Sequence, residues 1–339
     1  MNGYGSKGQS AMASKGKRQV AKTASRMYLL TFPSRILALL AAVCVSAHSA
    51  VAQTPTTPLE LMVLGSGGPG AVGRAASCYL VLIDGKARIL VDAGPGAFAR
   101  LGEAKLSLSD TDIVLLTHLH IDHAGELPGL FKARVVSGGD SVVFNVWGPA
   151  GTTQEGAYFP STSQFLDLLF GAKGAFAYLQ DFAAPISLHG HDIPATVQSN
   201  PVPKVVFNED GLVIRAVAGH HGDAPAVIYR IDHGGKSITF SGDIDAKGLP
   251  GLRTIAKGSD LLVFNSVVLD PPGSRAILYT LHTPPRAIGE LARDTGVHRL
   301  LLSHISPAVE ENQDAVFDSI KRSYRGSVSL AADRTRVLP

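Results

Sequence analysis

The chain has 339 residues, of which 45% are apolar and 17% are charged, a balance that excludes a disordered or fibrous chain and allows a sizeable core. Residues 1–52 contain seven of the 31 basic residues and no acidic residue, so the remainder holds 24 basic and 28 acidic residues, a net charge of −4. A mildly acidic body argues against a broad electrostatic grip on nucleic acid, and we expect no nucleic-acid partner.

Residues 1–52 are typical of an N-terminal extension that ends in a secretory signal peptide. The apolar stretch ILALLAAVCVSA follows Arg35, and the small residues of Ala50–Ala52 predict cleavage near Ala52. The stretch is short for a membrane span, which takes about 20 apolar residues, although an uncleaved anchor is the alternative. Cleavage would leave a periplasmic or secreted protein with no stable membrane span.

Cys78 is the only cysteine that remains after this cleavage. No intramolecular disulfide can then form, so the hydrophobic core must provide the stability. Cys78 lies in an alternating apolar run, where a small buried packing residue is expected rather than a nucleophile. Residues 53–58 (QTPTTP) predict a linker, and residues 59–339 predict one globular domain.

Apolar runs separated by turn residues predict strands in both halves of the domain. The runs are 59–64, 78–83, 87–91, 113–116, 212–217, 226–231, 236–240, 260–268 and 299–302. Helical spacing marks 97–103 and 285–295, and residues 150–205 are expected to form helices and loops. Strands in both halves with helices between them predict an α/β (α+β) fold in which sheets pack on each other with helices outside.

The stretch THLHIDHAG follows the strand predicted at 113–116. His118, His120, Asp122 and His123 place four metal-capable side chains within six positions. Zinc and similar ions take imidazole and carboxylate ligands. A strand end followed by a tight turn would direct the first two side chains to one point and the last two to a neighbouring point. The spacing therefore favours two adjacent metals over one, and solvated loop residues are the alternative.

This H-x-H-x-D-H motif resembles that of the metallo-β-lactamase superfamily, most closely its ribonuclease Z and arylsulfatase-like branch. The segments that carry the resemblance are LGSGGPG, SCYLVLIDGKARILVDAGPG, THLHIDHAG, HHGDAPAVIYRID, FSGDIDA and LLLSHISP. The resemblance covers about residues 59–309. It implies a four-layered αββα sandwich with two divalent metal ions, zinc being the expected metal, at one edge.

The resemblance also implies a ligand set. His118, His120 and a histidine of HHGDAP would bind one ion, Asp122, His123 and His304 would bind the other, and Asp243 would bridge both. His221 is favoured over His220 because it directly precedes glycine, but both stay open. Asp92 would support a ligand histidine through a hydrogen bond, with a plain turn aspartate as the alternative.

The chemistry implied is attack on a small ester by a hydroxide that bridges the two metals. Asp122 would orient or deprotonate that water, and His282 of LHTPPRA would be the general acid, with a helix-capping or surface histidine as the alternative. Relatives often have a glutamate where this chain has Asn265, so a proton relay from a carboxylate to His282 is doubtful.

We therefore expect an exported dinuclear hydrolase whose partner is a small-molecule ester, either a phosphodiester or a sulfate ester. The alternatives are a ribonuclease Z-like nuclease or phosphodiesterase acting on nucleic acid, a lactonase or β-lactamase, and a catalytically silent binding protein on the same scaffold. A homodimer is left open. Aromatic residues in 150–205, such as Phe159 and Phe170, are candidates for a substrate wall, with ordinary packing as the alternative.

Overall fold

The computed structural model describes residues 59–70, 73–152 and 158–339. The predicted signal peptide and the linker at 53–58 lie outside the described residues, so both stay predictions. Within the described ranges, none of the helices has the length and apolar character needed to span a membrane.

Fourteen strands in the described residues form two mixed sheets of seven strands each. The strands are β1 (Leu59–Gly65), β2 (Cys78–Ile83), β3 (Lys86–Val91), β4 (Ile113–Leu115), β5 (Val142–Pro149), β6 (Ile186–Ile193), β7 (Lys204–Glu209), β8 (Leu212–Ala218), β9 (Val227–His233), β10 (Lys236–Phe240), β11 (Leu261–Asn265), β12 (Arg299–Ser303), β13 (Ser327–Leu330) and β14 (Thr335–Val337).

The two sheets share one pattern. The first has the order β14-β1-β2-β3-β4-β5-β6 and the second β13-β12-β11-β10-β9-β8-β7. Counted from β14 in the first sheet and from β7 in the second, three antiparallel pairs are followed by three parallel pairs. The hairpin predicted at Asp84-Gly85 joins β2 to β3, and both turn residues have positive φ values, 51° and 80°, as a type I′ turn requires.

Helices cover the outer face of each sheet. They are α1 (Ala97–Ala104), α2 (Ile121–Ala124), α3 (Leu127–Val136), α4 (Thr162–Phe170), α5 (Leu249–Ile255), α6 (Pro285–Thr295), α7 (Pro307–Glu311) and α8 (Gln313–Lys321), with 3₁₀ turns at Ala177–Asp181 and Ala276–Thr280.

Three apolar clusters separate the layers. One joins the first sheet to α1, α3 and α4, a second joins the inner faces of the two sheets, and a third joins the second sheet to α5, α6 and α8. Because alternate residues of a strand face opposite sides, each sheet contributes to the central cluster and to one outer cluster. The expected four-layered αββα sandwich is confirmed.

The segment at 150–205 differs from the expectation of helices and loops. It contains α4, but also β6, and β7 begins at its end. β6 is an edge strand of the first sheet, and β7 is an edge strand of the second. None of the residues in their sequences, ISLHGHDI and KVVFNE, is fully buried, because an edge strand is covered less than a central one. The apolar periodicity that identifies central strands was therefore weak here.

The ends of the central strands meet at one edge of the sandwich. β4 of the first sheet ends just before Thr117, and the backbone N–H of Val227 in β9 of the second sheet donates to the Thr117 carbonyl at 2.8 Å. Parallel strands end on the same side of a sheet, so β3 and β4 in one sheet and β10, β11 and β12 in the other bring their following residues to this edge.

Candidate metal centre

Two histidines that follow β4 face each other. Nε2 of His118 lies 3.2 Å from Nδ1 of His120, and a ring nitrogen of His221 lies within 4.8 Å of both. Two ligand atoms held at about 2.0–2.2 Å by one tetrahedral ion would be roughly 3.3–3.6 Å apart. The three nitrogens therefore have a spacing that one divalent ion fits.

The two histidines of HHGDAP point to different places. Nδ1 of His221 donates to the carbonyl oxygen of Leu281 at 2.8 Å, which leaves Nε2 directed at the cluster. His220 instead places its Nδ1 2.8 Å from Oδ2 of Asp245 and lies outside the cluster. The structure thus brings the favoured residue, His221, to the other candidate ligands.

A second group contains Asp122, His123 and His304. Oδ2 of Asp122 is 3.2 Å from Nε2 of His304 and 3.9 Å from Nε2 of His123. His304 has a φ of 53°, a left-handed conformation that is costly for a residue other than glycine. Gly68 of GSGGPG lies against His304, where a Cβ would be 3.2 Å from the ring. This predicted turn therefore lies under the edge of the site.

Asp243 lies between the two groups. Its Oδ2 is 3.6 Å from Nε2 of His123, 3.7 Å from Nε2 of His221 and 3.5 Å from Nε2 of His304. The preceding residue, Gly242, has a φ of 56° and a Cβ there would be 2.8 Å from the Thr117 side chain, so this tight turn after β10 requires glycine. One carboxylate oxygen is thus shared by residues of both groups.

The hydrogen bonds of the histidines define which ring nitrogens face the centre. A carboxylate can only accept, so Nδ1 of His123 donates to Oδ2 of Asp92 at 2.8 Å and its Nε2 lacks a proton in the neutral tautomer. Oγ1 of Thr117 donates to the same carboxylate at 2.9 Å and can accept from Nδ1 of His118 at 3.2 Å. Each of these rings therefore presents an Nε2 lone pair to the cluster.

The electrostatics of the centre favour a bound cation. Burial lowers the pKa of His118 well below its ordinary value. Burial also lowers the pKa of His123, but the charges of Asp92 and Asp243 outweigh it and raise that pKa well above its ordinary value. Nε2 of His123 is buried and makes no hydrogen bond within the described residues. The donor set fits divalent ions, since the carboxylates of Asp92 and Asp243 favour positive charge beside His123 and its buried Nε2 has no other partner.

His282 lies at the same centre. Its Nδ1 is 3.9 Å from Oδ2 of Asp243, the side chain is 5% exposed, and that nitrogen makes no hydrogen bond within the described residues. Burial lowers its pKa to about 4, against the opposing charge of Asp243. The alternative of a surface histidine does not fit this burial.

Two supporting residues were not assigned from the sequence. Asn265 donates from Nδ2 to Oδ1 of Asp243 at 2.7 Å. Thr117 bonds Asp92 through both its backbone N–H, at 2.7 Å, and its hydroxyl. Only the position of Thr117 directly before the histidine motif points to this supporting role in the sequence, because its partner, Asp92, follows a different strand.

The aromatic residues of 150–205 divide between core and site. The ring of Phe159 lies 5.9 Å from that of His120, so it lines the approach to the centre. Phe170 is 2% exposed and stacks on Phe131 in the cluster between the first sheet and its helices. It therefore has an ordinary packing role and is not part of a substrate wall.

The family model of the β-lactamase superfamily domain matches residues 87–305. Ribonuclease Z of Mycobacterium avium (strain 104) is 29% identical over 289 residues, which cover 82% of this chain and 98% of that protein. Ribonuclease Z of Mycobacterium sp. (strain KMS) is 27% identical over 266 residues, which cover 76% and 87%.

Solved structures show the same architecture. The short form of human tRNase Z superposes with a TM-score of 0.62 at 20% identity, covering 83% of this chain and 99% of that chain. The metallo-β-lactamase fold protein YhfI of Bacillus subtilis gives a TM-score of 0.59 at 19% identity, with the same coverage. At these identities the likeness shows the fold alone, and the expected metallo-β-lactamase fold is confirmed.

Proposed function

We propose that this chain, which belongs to the β-lactamase superfamily and is a metal-dependent hydrolase, cleaves phosphodiester bonds in RNA. The observation that carries the proposal is the convergence of two donor groups on a single oxygen, Oδ2 of Asp243. The Nε2 atoms of His123, His221 and His304 lie 3.5–3.7 Å from that oxygen. Paired divalent ions suit the hydrolysis of phosphodiesters. The relatives named Ribonuclease Z supply the substrate class.

The expectation that nucleic acid is not a partner is wrong, because the relatives that match over three-quarters or more of this chain are ribonucleases. Net charge is a poor guide to RNA binding at a buried metal centre. A charge of −4 spread over the domain limits non-specific binding along a nucleic acid, but it does not describe the local field at a metal centre. The comparisons favour the nuclease alternative over the small-ester hypothesis.

We assign the ligands as two groups that share one residue. His118, His120 and His221 would hold one ion, Asp122, His123 and His304 the other, and Asp243 would contact both. Zinc is the metal we propose, since imidazole and carboxylate donors at tetrahedral spacing suit it. When bound, the ions would activate water and offset the negative charge that develops on the phosphoryl group.

The chain's own residues then have separate tasks. Asp92 and the Leu281 carbonyl hold His123 and His221 in the tautomer that directs Nε2 to the centre. Burial alone would raise the pKa of Asp122, but the hydrogen bond to His304 and the charge of His123 lower it to about 2. Asp122 is therefore an ionised acceptor at neutral pH, suited to bind an ion and orient the attacking water.

His282 is the residue we propose as the proton donor to the leaving oxygen. It is neutral at pH 7 in the free protein because its pKa is about 4. A nearby anion raises the pKa of an imidazole, so an RNA phosphate at the centre would favour its protonated form. Its position 3.9 Å from Asp243 places it within the same buried space as the candidate ligands.

The test is hydrolysis of defined RNA by purified protein of known metal content. A labelled structured RNA, a single-stranded RNA, the same sequence as DNA and an aryl phosphodiester form the panel, with a sulfate ester, a lactone and a β-lactam as comparisons. We expect RNA cleavage that is lost with a chelator and restored by zinc. A matched control is His298→Ala, which removes a histidine whose side chain is 67% exposed. This variant should cleave RNA at the wild-type rate.

Cleavage of the lactone or sulfate ester without cleavage of either RNA would contradict the substrate class. Fewer than about one metal ion per chain, together with no hydrolysis of any member of the panel, would contradict the enzyme assignment. RNA cleavage should also fall with added salt, because each phosphate contact releases counterions.

We also propose that the protein is exported, on the strength of the signal-peptide pattern at residues 1–52 alone. N-terminal sequencing of protein recovered from outside the cytoplasm should begin near Gln53. Full-length protein recovered only from the cytoplasm would contradict export.

A further inference from the structure

The two oxygens of Asp243 have different surroundings. Oδ2 faces the Nε2 atoms of His123, His221 and His304 at 3.5–3.7 Å. Oδ1 accepts a hydrogen bond from Nδ2 of Asn265 at 2.7 Å. Because an ionised carboxylate can only accept hydrogen bonds, the amide NH₂ of Asn265 must be the group that faces Oδ1. One oxygen of the carboxylate therefore faces the centre, and the other accepts a hydrogen bond from the amide.

The backbone holds Asn265 in this place. It is the last residue of β11, which runs parallel to β10 with Phe240 opposite Val263. The N–H of Asn265 donates to Oγ of Ser241 at 3.1 Å, and that hydroxyl donates to the carbonyl of Gly242 at 2.7 Å. These bonds tie the amide to the same turn that carries Asp243.

We propose that Asn265 is a positioning residue that reserves Oδ1 of Asp243 and so limits this carboxylate to a single metal-facing oxygen, Oδ2. The inference rests on the metal centre of the proposed function. Asn265 is 5% exposed and Asp243 is 2% exposed, so water has little access to replace the amide. Without it, Oδ1 would lack a donor in a buried site, and the carboxylate would be free to turn both oxygens toward the ions.

The chemistry of the side chain is specific. An amide supplies an N–H donor and adds no charge, whereas an ionised carboxylate at this position could supply no donor. A short hydrogen bond to a charged acceptor is stronger than one between neutral groups. A leucine has a similar branched shape but no donor, so it separates the hydrogen bond from the packing.

The experiment compares Asn265→Leu, Asn265→Ala and Asn265→Gln in the full chain, with Co²⁺ as the probe and no substrate present. We expect the Leu and Ala variants to bind Co²⁺ at least tenfold more weakly, as is typical for the loss of a residue that supports a metal ligand. Their visible d–d absorption should also weaken, because a carboxylate that uses both oxygens raises the coordination number. The Gln variant, which retains the amide, should lie closer to the wild type.

Asn145→Leu is the matched control. Asn145 is a half-buried strand residue whose side chain contacts His191 rather than the centre, so this variant should have the Co²⁺ affinity and spectrum of the wild type. If Asn265→Leu does not fold, Asn265→Ala still removes the donor.

Wild-type Co²⁺ affinity and spectrum in both the Leu and the Ala variant would overturn the proposal. An altered Ala variant beside an unaltered Leu variant would also overturn it, because packing alone would then explain the effect. These outcomes are independent of the substrate. A wild type that binds Co²⁺ but cleaves no RNA would contradict the proposed function and leave this inference intact, whereas a wild type that binds no Co²⁺ would overturn both.

Discussion

Nδ1 of His123 lies 2.8 Å from Oδ2 of Asp92, and both side chains are almost fully buried. Asp92 follows β3 and has a φ of 54°, an uncommon conformation that turns its carboxylate toward the neighbouring strand end. The same carboxylate accepts the N–H and the hydroxyl of Thr117. One aspartate thereby orients the histidine motif from the strand beside it.

Asp92→Asn should weaken metal binding without removing any ligand. The amide oxygen can still accept from the Thr117 N–H, but its NH₂ group would then face Nδ1 of His123. That nitrogen would have to accept, so the proton of the neutral ring would move to Nε2 and compete with the metal. We expect a loss of about 10–100-fold in metal affinity and in activity, measured by chelator competition and RNA cleavage. Wild-type affinity in this variant would contradict the tautomer assignment.

His123→Ala should remove about one of two bound ions and leave the fold intact. The side chain is fully buried but has no apolar core role, because its ring contacts are with other residues of the centre. We expect activity to fall by more than about 100-fold, beyond the loss for a residue that only supports a ligand. Metal analysis and circular dichroism check the result, with His298→Ala as the control. Two ions per chain and full activity would disagree with the two-metal assignment.

The candidate ligands were predictable because each follows an apolar strand. His118, Asp243 and His304 come after β4, β10 and β12, and the carboxyl ends of such strands meet at one edge of the sandwich. The sequence favours His221 over His220 through the glycine that follows it, but it leaves both open, since the two residues are neighbours in one loop. Their difference comes from distant partners, the carbonyl of Leu281 and the carboxylate of Asp245.

The supporting hydrogen bonds were less predictable than the ligands. The sequence shows Asn265 as a departure from relatives, but its bond to Asp243 depends on the parallel register of β10 and β11. The edge strands β6 and β7 were missed for a related reason. Their formation depends on pairing with β5 and β8, whereas their half-exposed sequences have weak periodicity of their own.

His282→Gln should separate proton donation from binding. If His282 protonates the leaving oxygen, its loss should lower kcat for RNA by about 10²–10⁴-fold, the usual contribution of a general acid. An aryl phosphodiester with a nitrophenolate leaving group needs no proton, so its kcat should fall much less. Metal content should stay at the wild-type level. An equal loss of kcat for both substrates would indicate another role.

The hydrogen bonds of Asp333 make the stability of the folded protein depend on pH. Oδ1 of Asp333 accepts the N–H and the hydroxyl of Ser66, at 3.0 and 2.7 Å, and Oδ2 accepts from the Ala75 N–H and the Arg100 side chain, at 2.8 and 2.9 Å. Burial alone would raise the pKa of Asp333, but these hydrogen bonds lower it below its ordinary value. The ionised carboxylate therefore joins β1, α1 and the turn before β14.

Asp333→Asn should lower the free energy of unfolding by about 2 kcal/mol at pH 7, within the range for hydrogen bonds to a charged group. Because the folded-state pKa is depressed, the stabilisation is present above the unfolded pKa of about 3.9 and is lost as pH falls through the folded value. Urea unfolding of metal-free protein should thus show a difference between wild type and variant that is constant from pH 7 to about pH 5 and shrinks below about pH 4. Asp140→Asn, at an exposed position, should change stability by less than about 0.5 kcal/mol. A difference for Asp333→Asn that does not shrink in acid would show that the ionised form contributes nothing beyond packing.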